Sequence, residues 1–580
     1  MIEKCDDVNN RKKKIQDFDD VLPFIGDFGK YQWILMISLV PFGISFAYLY
    51  YSQIFIMIVP QNHWCKIDEL INLNLTQEQR INLAIPKSKN YPYYDRCHYK
   101  NLDFQNINIT NINFNSTKWN TDEIEQCKMW EYDFNEIPYA TISSELNWVC
   151  EKEYIIATVQ AIFYVGSVFG NFIFGWISDR YGRIKGLLCC TATSFIATIG
   201  IPSTHSFWSF AICRFFAGFA YDNFLMIPLI IALEYLGVQR RPNVGCILIG
   251  ILYFISVLTI SGSAYFIRNW RYFTYICSAS FLFCFFLTFL MPESTRWYMS
   301  KGNNEKILIK LRRISKINNK NPKAWVYDEF LQSISNDKKN VENASLLDLR
   351  RTPHLARNTI LLAIIYGFSS LIMDTYIYFS NRYNISVFMS FVWFSVEIVI
   401  ATTLVKIFGN QWGRRFSVSI ALLLSGVFSI IFTFNETETI KIIAGCLGRM
   451  CMSFVQIIYV QYVPEFFPTS LRTQGTALVH FLSIIMHFTA PYVTVLASTW
   501  RELPIIIIAI LSLLNSILIL FLPETVGQHL PQTLEDGENF CKNKKFWPIF
   551  ISRKNIQRIN SKYANDSTLL SSRMENDISN

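Results

Sequence analysis

Gly175-Trp-Ile-Ser-Asp-Arg-Tyr-Gly-Arg183 is a short polar stretch between two long apolar runs of the chain. A shortened copy, Asn410-Gln-Trp-Gly-Arg-Arg415, lies between two apolar runs in the second half. Aligning Gly182 with Gly413 divides the chain into two related halves. Internal duplication of this kind is typical of membrane proteins built from two helical bundles. The repeated stretch therefore predicts a duplicated membrane fold.

The composition and the hydropathy pattern indicate a membrane protein. Of the 580 residues 51% are apolar and only 17% are charged. Most apolar runs are about as long as a helix that crosses a bilayer, and they cover residues 33–59, 154–177, 187–202, 206–233, 243–266, 270–291, 358–380, 386–408, 416–434, 440–462, 475–498 and 503–522. We expect an all-α protein with twelve transmembrane helices in two pseudo-symmetric six-helix bundles.

The basic residues indicate how the spans are oriented. Arg11-Lys-Lys-Lys14 precedes the first run, and many Lys and Arg residues lie between the halves. Because basic loops stay in the cytosol, both segments are expected there, and an even number of spans puts both termini on that side. The expected domains are a cytosolic N-terminus at 1–32, a first bundle at 33–291, a cytosolic linker at 292–357, a second bundle at 358–522 and a cytosolic tail at 523–580, disordered beyond about residue 555. The net charge of +9 then belongs to inward-facing loops, and no nucleic-acid partner is needed.

The segment at 60–152 has the features of an extracellular loop. It contains the four cysteines Cys65, Cys97, Cys127 and Cys150 and the three glycosylation acceptors Asn74, Asn108 and Asn115. Disulfides and N-linked glycans form on the luminal or extracellular side, which agrees with the orientation from the basic residues. Four cysteines allow three pairings, and all three stay open. We expect a disulfide-bonded glycoprotein of the plasma membrane.

The polar stretch combines residues that suit a tight turn at the membrane surface. Gly175 permits close approach of a neighbouring helix, and Gly182 permits a sharp reversal. Arg180 and Arg183 keep the turn in the cytosol, while Asp179 is expected to accept hydrogen bonds from the N-terminus of a neighbouring helix. Such contacts would hold one half against the other. The alternative, ordinary flanking residues, explains a single Arg better than an ordered Gly, Asp, Gly and Arg.

Further segments follow in a fixed order along the chain. They are 18–22 and 26–29 before the first run, 147–150 at the end of the loop, Arg214-x-x-x-Gly218 with Glu234, Ala264-Tyr265 with Trp270-Arg271, 292–297, 465–472 and 523–525. Together with Gly-x-x-x-Asp-Arg-x-Gly-Arg at 175–183 they resemble the major facilitator superfamily and, within it, the organic cation and anion transporter family, solute carrier family 22. The resemblance covers nearly the whole chain. It implies a major facilitator fold and a carrier that works by alternating access.

The same resemblance implies a cytosolic gate, a charge cluster that opens and closes in each cycle. Its residues here are Gly175, Asp179, Arg180, Gly182, Arg183, Arg214, Glu234, Arg296, Gly413, Arg414, Glu465 and Arg472. Exposed ion pairs are worth only about 0 to 1 kcal/mol, which is weak enough to break repeatedly. Asn410 stands where the family usually has an acid, so we expect the second copy of the gate to be weaker.

Three acidic residues lie inside apolar runs and are candidates for the substrate cavity. An ionised side chain at the bilayer centre costs at least about 2.5 to 3.5 kcal/mol, so Asp222, Asp374 and Glu397 are functional hypotheses. By resemblance, Glu397 matches a family acid, Asp222 stands where some relatives have Lys, and Asp374 replaces a residue that is commonly aromatic. The alternative for Asp222 is a hydrogen bond between helices or a pairing with Arg449.

Aromatic and histidine residues complete the candidate cavity. Phe368, Tyr376 and Tyr459 offer cation–π contacts of about 0.5 to 2 kcal/mol each, although ordinary packing is the alternative for each ring. By resemblance, Ile484 occupies the position that is Asp in cation carriers and Arg in anion or carnitine carriers. His480 and His487 flank it and either tune selectivity with pH or pack as neutral histidines.

The sequence contains no motif for catalysis. A Gly-x-x-x-x-Gly-Lys loop, a nucleophile motif and a Cys-x-x-Cys pair are missing, so we expect no enzyme, no cofactor and no metal, and transport driven by gradients. The hypothesis is a carrier of small organic cations or zwitterions, by facilitated diffusion or exchange, whose partners are its substrate and the lipid bilayer. Two alternatives stay open: an organic anion or carnitine carrier, and a non-transporting membrane receptor or scaffold.

Overall fold

The computed structural model describes residues 18–71, 75–87, 94–100, 124–135, 137–237, 241–337, 346–379, 385–409, 411–468, 471–526, 531 and 533–542. Within them twelve helices are long and apolar enough to cross a bilayer, which confirms the predicted fold class. We number them as spans 1 to 12: Lys30–Met57, Cys150–Tyr181, Arg183–Ser203, Phe207–Glu234, Val244–Ile267, Trp270–Thr288, Pro353–Phe379, Val387–Phe408, Arg414–Phe434, Glu438–Phe466, Gln474–Ser498 and Leu503–Phe521.

Two spans are divided into shorter helices. Span 1 consists of helices Lys30–Tyr50 and Ser52–Met57, and span 4 consists of helices Phe207–Phe219 and Tyr221–Glu234. Elsewhere the α-helical parts differ from the spans only at their ends, as in Tyr154–Tyr181, Arg183–Gly200, Arg241–Ile267, Arg472–Val495 and Leu503–Leu518. The interruption at Ala220 puts Asp222 in the first turn of a helix that begins in mid-span.

The bundle has two ends, which we name by the segments found there. Both disulfides lie between the end of span 1 and the first residue of span 2, so this side is the disulfide end. The linker between spans 6 and 7 lies on the opposite side, the linker end, because an odd number of crossings separates the two segments. The turns at Gly182, with φ 119°, and at Gly413, with φ 86°, also lie at the linker end. The two halves therefore repeat the same turn in their backbone, as the sequence repeat predicts.

Spans 2 and 4 approach each other closely through glycines. A Cβ atom on Gly166, Gly170 or Gly218 would overlap backbone atoms of the opposite span. Small residues at interfaces in membranes permit such contact. By contrast, among the described residues no atom of another element lies within 4 Å of a Cβ built on Gly175, so the prediction that Gly175 permits close helix approach was wrong. Position 175 has open space beside it, and the close contact lies earlier in the same helix.

The segment at the disulfide end forms two small antiparallel ribbons. Strand His63–Cys65 pairs with Trp130–Tyr132, and strand His98–Lys100 pairs with Ile124–Gln126. The short helices there are Asp68–Ile71, Gln77–Ala84 and Ile142–Glu145. Of the three possible cysteine pairings, the structure has Cys65 with Cys127 and Cys97 with Cys150. The glycosylation acceptors Asn74, Asn108 and Asn115 lie outside the described residues.

Short helices cover the linker end. They are Phe18–Ile25 before span 1, and Thr295–Lys301, Asn304–Ile317, Ala324–Asp337 and the 3₁₀ helix Leu346–Arg351 in the linker. Asn318 joins the linker to the start of span 1: its side chain donates to the Gly26 carbonyl at 3.1 Å and accepts from the Tyr31 N–H at 2.9 Å. The linker is thus packed against the first half.

The tail packs against the second half. Its helix Leu534–Lys542 carries Glu538, which accepts hydrogen bonds from the backbone N–H groups of His354 at 3.0 Å and Leu355 at 2.9 Å. These are the first donors of span 7, which have no partner within their own helix. Residues 543–580, where the sequence predicts disorder, lie outside the described residues.

Candidate functional site

Asp374 of span 7 is the acceptor at the centre of a buried hydrogen-bonded network. Only 2% of the residue is exposed. Its carboxylate accepts hydrogen bonds from the hydroxyls of Tyr50 at 2.6 Å and Tyr164 at 2.8 Å, and its Oδ2 lies 2.5 Å from Nδ1 of His487. Tyr50 and Tyr164 belong to spans 1 and 2, so a carboxylate of the second half is bonded by two donors of the first half.

The network extends from Asp374 to a buried arginine. The hydroxyls of Tyr164 and Tyr378 are 3.0 Å apart, and Gln53 donates to the Tyr378 hydroxyl at 3.2 Å. Arg214 donates to Oε1 of Gln53 at 2.5 Å, and its guanidinium lies 5.0 Å from the centre of the Phe163 ring. We call the following set the polar seam: Tyr50, Gln53, Tyr164, Asp374, Tyr378 and His487.

Arg214 therefore does not belong to the cytosolic gate, where the family pattern had assigned it. Arg214 and Glu234 lie on the same span, but about 30 Å separates them along the helix axis at ~1.5 Å per residue. Only 1% of Arg214 is exposed, and its partner Gln53 lies near the disulfide end of span 1. The resemblance singled out Arg214 as a functional residue. The direction of span 4 places it near the disulfide end and not at the linker end.

The two halves are packed together at the disulfide end. The rings of Phe55 and Phe388 are stacked with centroids 5.7 Å apart, and Tyr51 contacts Phe391 at 5.6 Å. Ser261 of span 5 donates to the Phe388 carbonyl at 2.8 Å. Each of these contacts joins the first half to span 8. Together with the polar seam they close the interface between the halves at this end.

Asp222 forms a second polar cluster deeper in the bundle. Its Oδ2 accepts hydrogen bonds from Ser167 Oγ at 2.6 Å and Asn171 Nδ2 at 2.8 Å, both on span 2. Oδ1 lies 3.8 Å from His480 Nε2 on span 11. The structure thus has the hydrogen bond between helices that was the alternative to a cavity role for Asp222, and the cluster also reaches the second half. His480 and His487 each lie beside one of the two aspartates.

Glu397 forms an internal ion pair with Arg449. Its carboxylate accepts two hydrogen bonds from the Arg449 guanidinium at 2.9 and 3.0 Å, and Arg449 also donates to Ser390. Only 2% of Arg449 is exposed. This bidentate geometry uses the charge of Glu397 within the second half, so Glu397 is not a free carboxylate of the cavity. Arg449 is thereby engaged, and the alternative that it pairs with Asp222 was wrong.

The aromatic candidates lie apart from Asp374. The Tyr376 hydroxyl is 2.5 Å from Ser429 Oγ on span 9, so this ring points into the second half rather than toward the seam. The Tyr459 hydroxyl is 3.3 Å from Ser369 Oγ, and Phe368 is half-buried on span 7. Neighbouring residues on a helix point in different directions, which explains why Tyr376 does not accompany Asp374.

Sequence reasoning missed the tyrosines that surround Asp374. Tyr50 and Tyr164 donate to the carboxylate, and the Tyr221 ring lies 5.2 Å from the Tyr50 ring. Tyrosines in apolar runs look like ordinary packing residues because their hydroxyls need a partner from a distant part of the chain. Ile484 is buried, so no charge occupies its position in span 11.

Two glutamates cap corresponding helices at the linker end. Glu293 accepts a hydrogen bond from the backbone N–H of Arg183 at 2.7 Å, at the start of span 3. Glu524 accepts from the N–H groups of Arg414 at 2.9 Å and Arg415 at 3.1 Å, at the start of span 9. Asp179 was expected in this role. Instead it pairs with Arg183 in the same turn at 3.0 Å, because Glu293 already occupies the helix N-terminus.

The remaining gate residues make contacts within one half. Glu234 accepts from Ser294 Oγ at 2.5 Å, and Arg296 pairs with Asp19 at 2.8 Å. The other contacts are Arg414 with Glu465, Arg472 Nε with the Phe467 carbonyl at 3.4 Å, and Arg180 over the Trp176 ring at 5.4 Å. These contacts join neighbouring elements of a bundle, so a gate between the halves stays a prediction. Asn410 lies outside the described residues.

Lys310 of the linker helix is half-buried beside this end of the bundle, and its Nζ atom is buried. Its Nζ lies 5.5 Å from the ring centres of both Tyr235 and Tyr298. Burial lowers the pKa of Lys310 to about 7, although Glu293 and Glu234 oppose that shift. The ammonium is therefore held in an environment that disfavours its charge.

Comparison with known proteins gives one family along the chain. Residues 104–536 match the family model described as sugar (and other) transporter. The chain is 28% identical to the carcinine transporter of Drosophila melanogaster, over 91% of this chain and 80% of that protein. It is 30% identical to organic cation transporter 1 of Caenorhabditis elegans, over 91% and 90%. It is 25% identical to solute carrier family 22 member 2 of Rattus norvegicus, over 93% and 99%.

A solved structure gives the same architecture. The proton:xylose symporter XylE of the major facilitator superfamily aligns with a TM-score of 0.53 and 15% identity, over 88% of this chain and 98% of that one. Identity this low supports the fold alone. Because the matched family consists of transporters, the expectation that the chain is not an enzyme is confirmed. The chain belongs to the sugar (and other) transporters of the major facilitator superfamily and, among them, to the organic cation and anion family, solute carrier family 22, as a multi-pass transmembrane carrier of small organic ions.

Proposed function

We propose that the chain carries small organic cations or zwitterions across the plasma membrane by alternating access, through facilitated diffusion or exchange. The observation behind this proposal is the Asp374 carboxylate, which is buried at the interface between the halves with donors from both. In the proposed orientation the linker end and both termini are cytosolic, and the disulfide end is extracellular. Basic residues in the linker and the disulfides between spans 1 and 2 support that orientation.

The charge of the site favours a cationic substrate. Asp374 and Asp222 are both acids, while the Arg449 charge is matched by Glu397. Rings of Tyr50, Tyr164 and Tyr221 lie around the seam, and such rings add about 0.5 to 2 kcal/mol each to binding of a cation. Several relatives are named organic cation transporters, and one is a carcinine transporter.

Alternating access requires the polar seam to break. When the disulfide end opens, Tyr50 and Tyr164 move away from Asp374, since they belong to the other half. A cation that enters then supplies a positive partner in place of the two neutral donors that the carboxylate loses. The membrane potential contributes about 2.3 kcal/mol per 100 mV for a monovalent cation, which is enough for roughly fifty-fold accumulation.

Uptake of radiolabelled tetraethylammonium by vesicles that contain the protein tests this proposal. Asp374→Asn keeps the shape of the side chain and removes its charge, so we expect uptake to fall at least tenfold with unchanged surface expression. Asp328→Asn, in an exposed acid of the linker helix Ala324–Asp337, is the matched control and leaves uptake unchanged. Competition by organic anions but not by organic cations would favour the anion or carnitine alternative. Binding without accumulation would favour a receptor.

A further inference from the structure

The contact between His487 and Asp374 contains a hydrogen that is held in place. Nδ1 and Oδ2 are 2.5 Å apart, and the imidazole is stacked on the Tyr164 ring at 5.3 Å with an angle of 24°. Two atoms with lone pairs facing each other repel at this distance, so a proton lies between them. The imidazole therefore presents its other nitrogen, Nε2, as the place where a second proton is gained or lost.

The second proton decides the charge of the pair. With one proton in the contact the pair has a charge of −1, and with a second on Nε2 it is neutral. Net charge inside a membrane protein is costly, so the pair binds either a proton or another cation. The imidazole side chain is 16% exposed and the carboxylate 3%, so the proton enters and leaves through His487.

Within the part of the chain that the structure describes, no Lys or Arg side chain forms an ion pair with Asp374 or His487. The hydroxyls of Tyr50, Tyr164 and Tyr378 are neutral donors, and Arg214 is linked to the carboxylate through Gln53, Tyr378 and Tyr164. Other titratable groups on the elements packed around the pair include Tyr51 on span 1, Tyr221 and Asp222 on span 4, and His480 on span 11. Asp222 adds negative charge nearby, which favours an incoming cation further.

We propose that the Asp374–His487 pair exchanges one proton for one organic cation, so that the carrier couples cation transport to proton transport in the opposite direction. A cation that binds beside Asp374 replaces the positive charge on Nε2, and this proton leaves to the side from which the cation came. After the cation is released on the other side, a proton from that side binds Nε2. The hydrogen between Nδ1 and Oδ2 stays in place, and the loaded pair is neutral in both states. The inference rests on the proposed transport of cations.

Proteoliposomes with a pH-sensitive dye inside test the exchange with tetraethylammonium, which has no titratable proton. At a membrane potential clamped to zero with valinomycin and equal potassium, an acidic interior should drive uptake and the interior should become more alkaline as the cation enters. One-for-one exchange predicts about tenfold accumulation per unit of pH difference. Uptake that follows the potential, with no response to the pH gradient and no proton movement, would overturn the exchange while leaving the proposed function intact. No uptake under either gradient would reject the proposed function itself.

Two variants separate the role of His487 from a structural one. In His487→Gln the amide still donates to Asp374 but cannot bind the exchangeable proton, so pH-driven accumulation should be lost while a measurable uptake of labelled tetraethylammonium in exchange for unlabelled tetraethylammonium, at equal pH on both sides, persists. That remaining uptake also shows that the variant is folded. Loss of both modes, or retention of pH-driven accumulation, would contradict the proposal. His205→Gln, in an exposed histidine between spans 3 and 4, is the control that should keep both modes.

Discussion

Glu293 and Glu524 hold equivalent positions in the two halves: each accepts hydrogen bonds from the first backbone N–H groups of the span that follows a glycine with positive φ. Glu293 bonds to the start of span 3 after Gly182, and Glu524 bonds to the start of span 9 after Gly413. Each glutamate lies just beyond the last span of its own half. Its hydrogen bonds therefore connect the end of that span to the turn that both halves repeat. The two copies of the repeated turn thus share a further feature, because a glutamate caps the helix that follows each of them.

Removal of either cap should destabilise the protein. Glu524→Ala leaves the N–H groups of Arg414 and Arg415 without their acceptor, and loss of a helix cap costs about 0.5 to 2 kcal/mol. We expect a lower Tm in detergent, measured by fluorescence-detected size exclusion after heating. Glu436→Ala, in an exposed acid between spans 9 and 10, should leave Tm unchanged. Equal Tm values for both variants would show that the cap contributes no stability.

An added methyl group at Gly170 should disrupt the contact between spans 2 and 4. A Cβ at this position overlaps backbone atoms of Phe219, which cannot turn away as a side chain can. Overpacking typically costs about 1 to 3 kcal/mol, so Gly170→Ala should lower Tm clearly. Gly175→Ala lies on the same helix with open space beside it and should be neutral or slightly stabilising. The prediction fails if the two variants melt at the same temperature.

Removal of one partner of the Glu397–Arg449 ion pair should destabilise the protein more than replacement of both partners. Arg449→Met leaves a buried carboxylate without its partner, and such single losses cost about 3 to 5 kcal/mol. The double variant Glu397→Met with Arg449→Met removes both charges and should recover much of the folded yield. The monodisperse fraction on size exclusion measures this recovery. A double variant no better folded than Arg449→Met would argue that the pair is needed for folding itself.

Lys310 should make stability depend on pH. Burial lowers its pKa from the ordinary 10.5 to about 7, so between these values the unfolded chain binds more protons than the folded one. Stability from this group therefore rises with pH across that interval and is constant below it. Lys310→Met should raise Tm most near pH 6, and the difference from the parent should shrink toward pH 9. A difference that does not change with pH would contradict the burial of an ammonium here.

The sequence predicted the spans well and the polar contacts between them poorly. A helix in a bilayer needs a long apolar run, so twelve runs and twelve spans agree without any knowledge of tertiary structure. Asp222 and Asp374 were identified for the same reason, because an acid in an apolar run is conspicuous. Their partners were not, since Tyr50 and Tyr164 belong to a different half from Asp374.

The errors have related physical causes. Arg214 was assigned to the wrong end because a motif gives a residue but not its depth in the membrane. Tyr376 was a candidate for the same cavity as Asp374, with ordinary packing as the alternative, and two residues along a helix point about 200° apart at ~3.6 residues per turn. Glu293 and Glu524 were recognised as parts of segments, but their bonds to distant helix ends depend on the folded chain.

The contact of Glu538 with the start of span 7 has a mechanical consequence. The tail helix follows the last span of the second half, and its Glu538 bonds to the start of the first span of the same half. The two ends of this bundle are therefore connected through the tail. The tail helix therefore travels with the second half when the two halves rock. A molecule that held the tail fixed would act on that motion from outside the membrane, without touching the cavity.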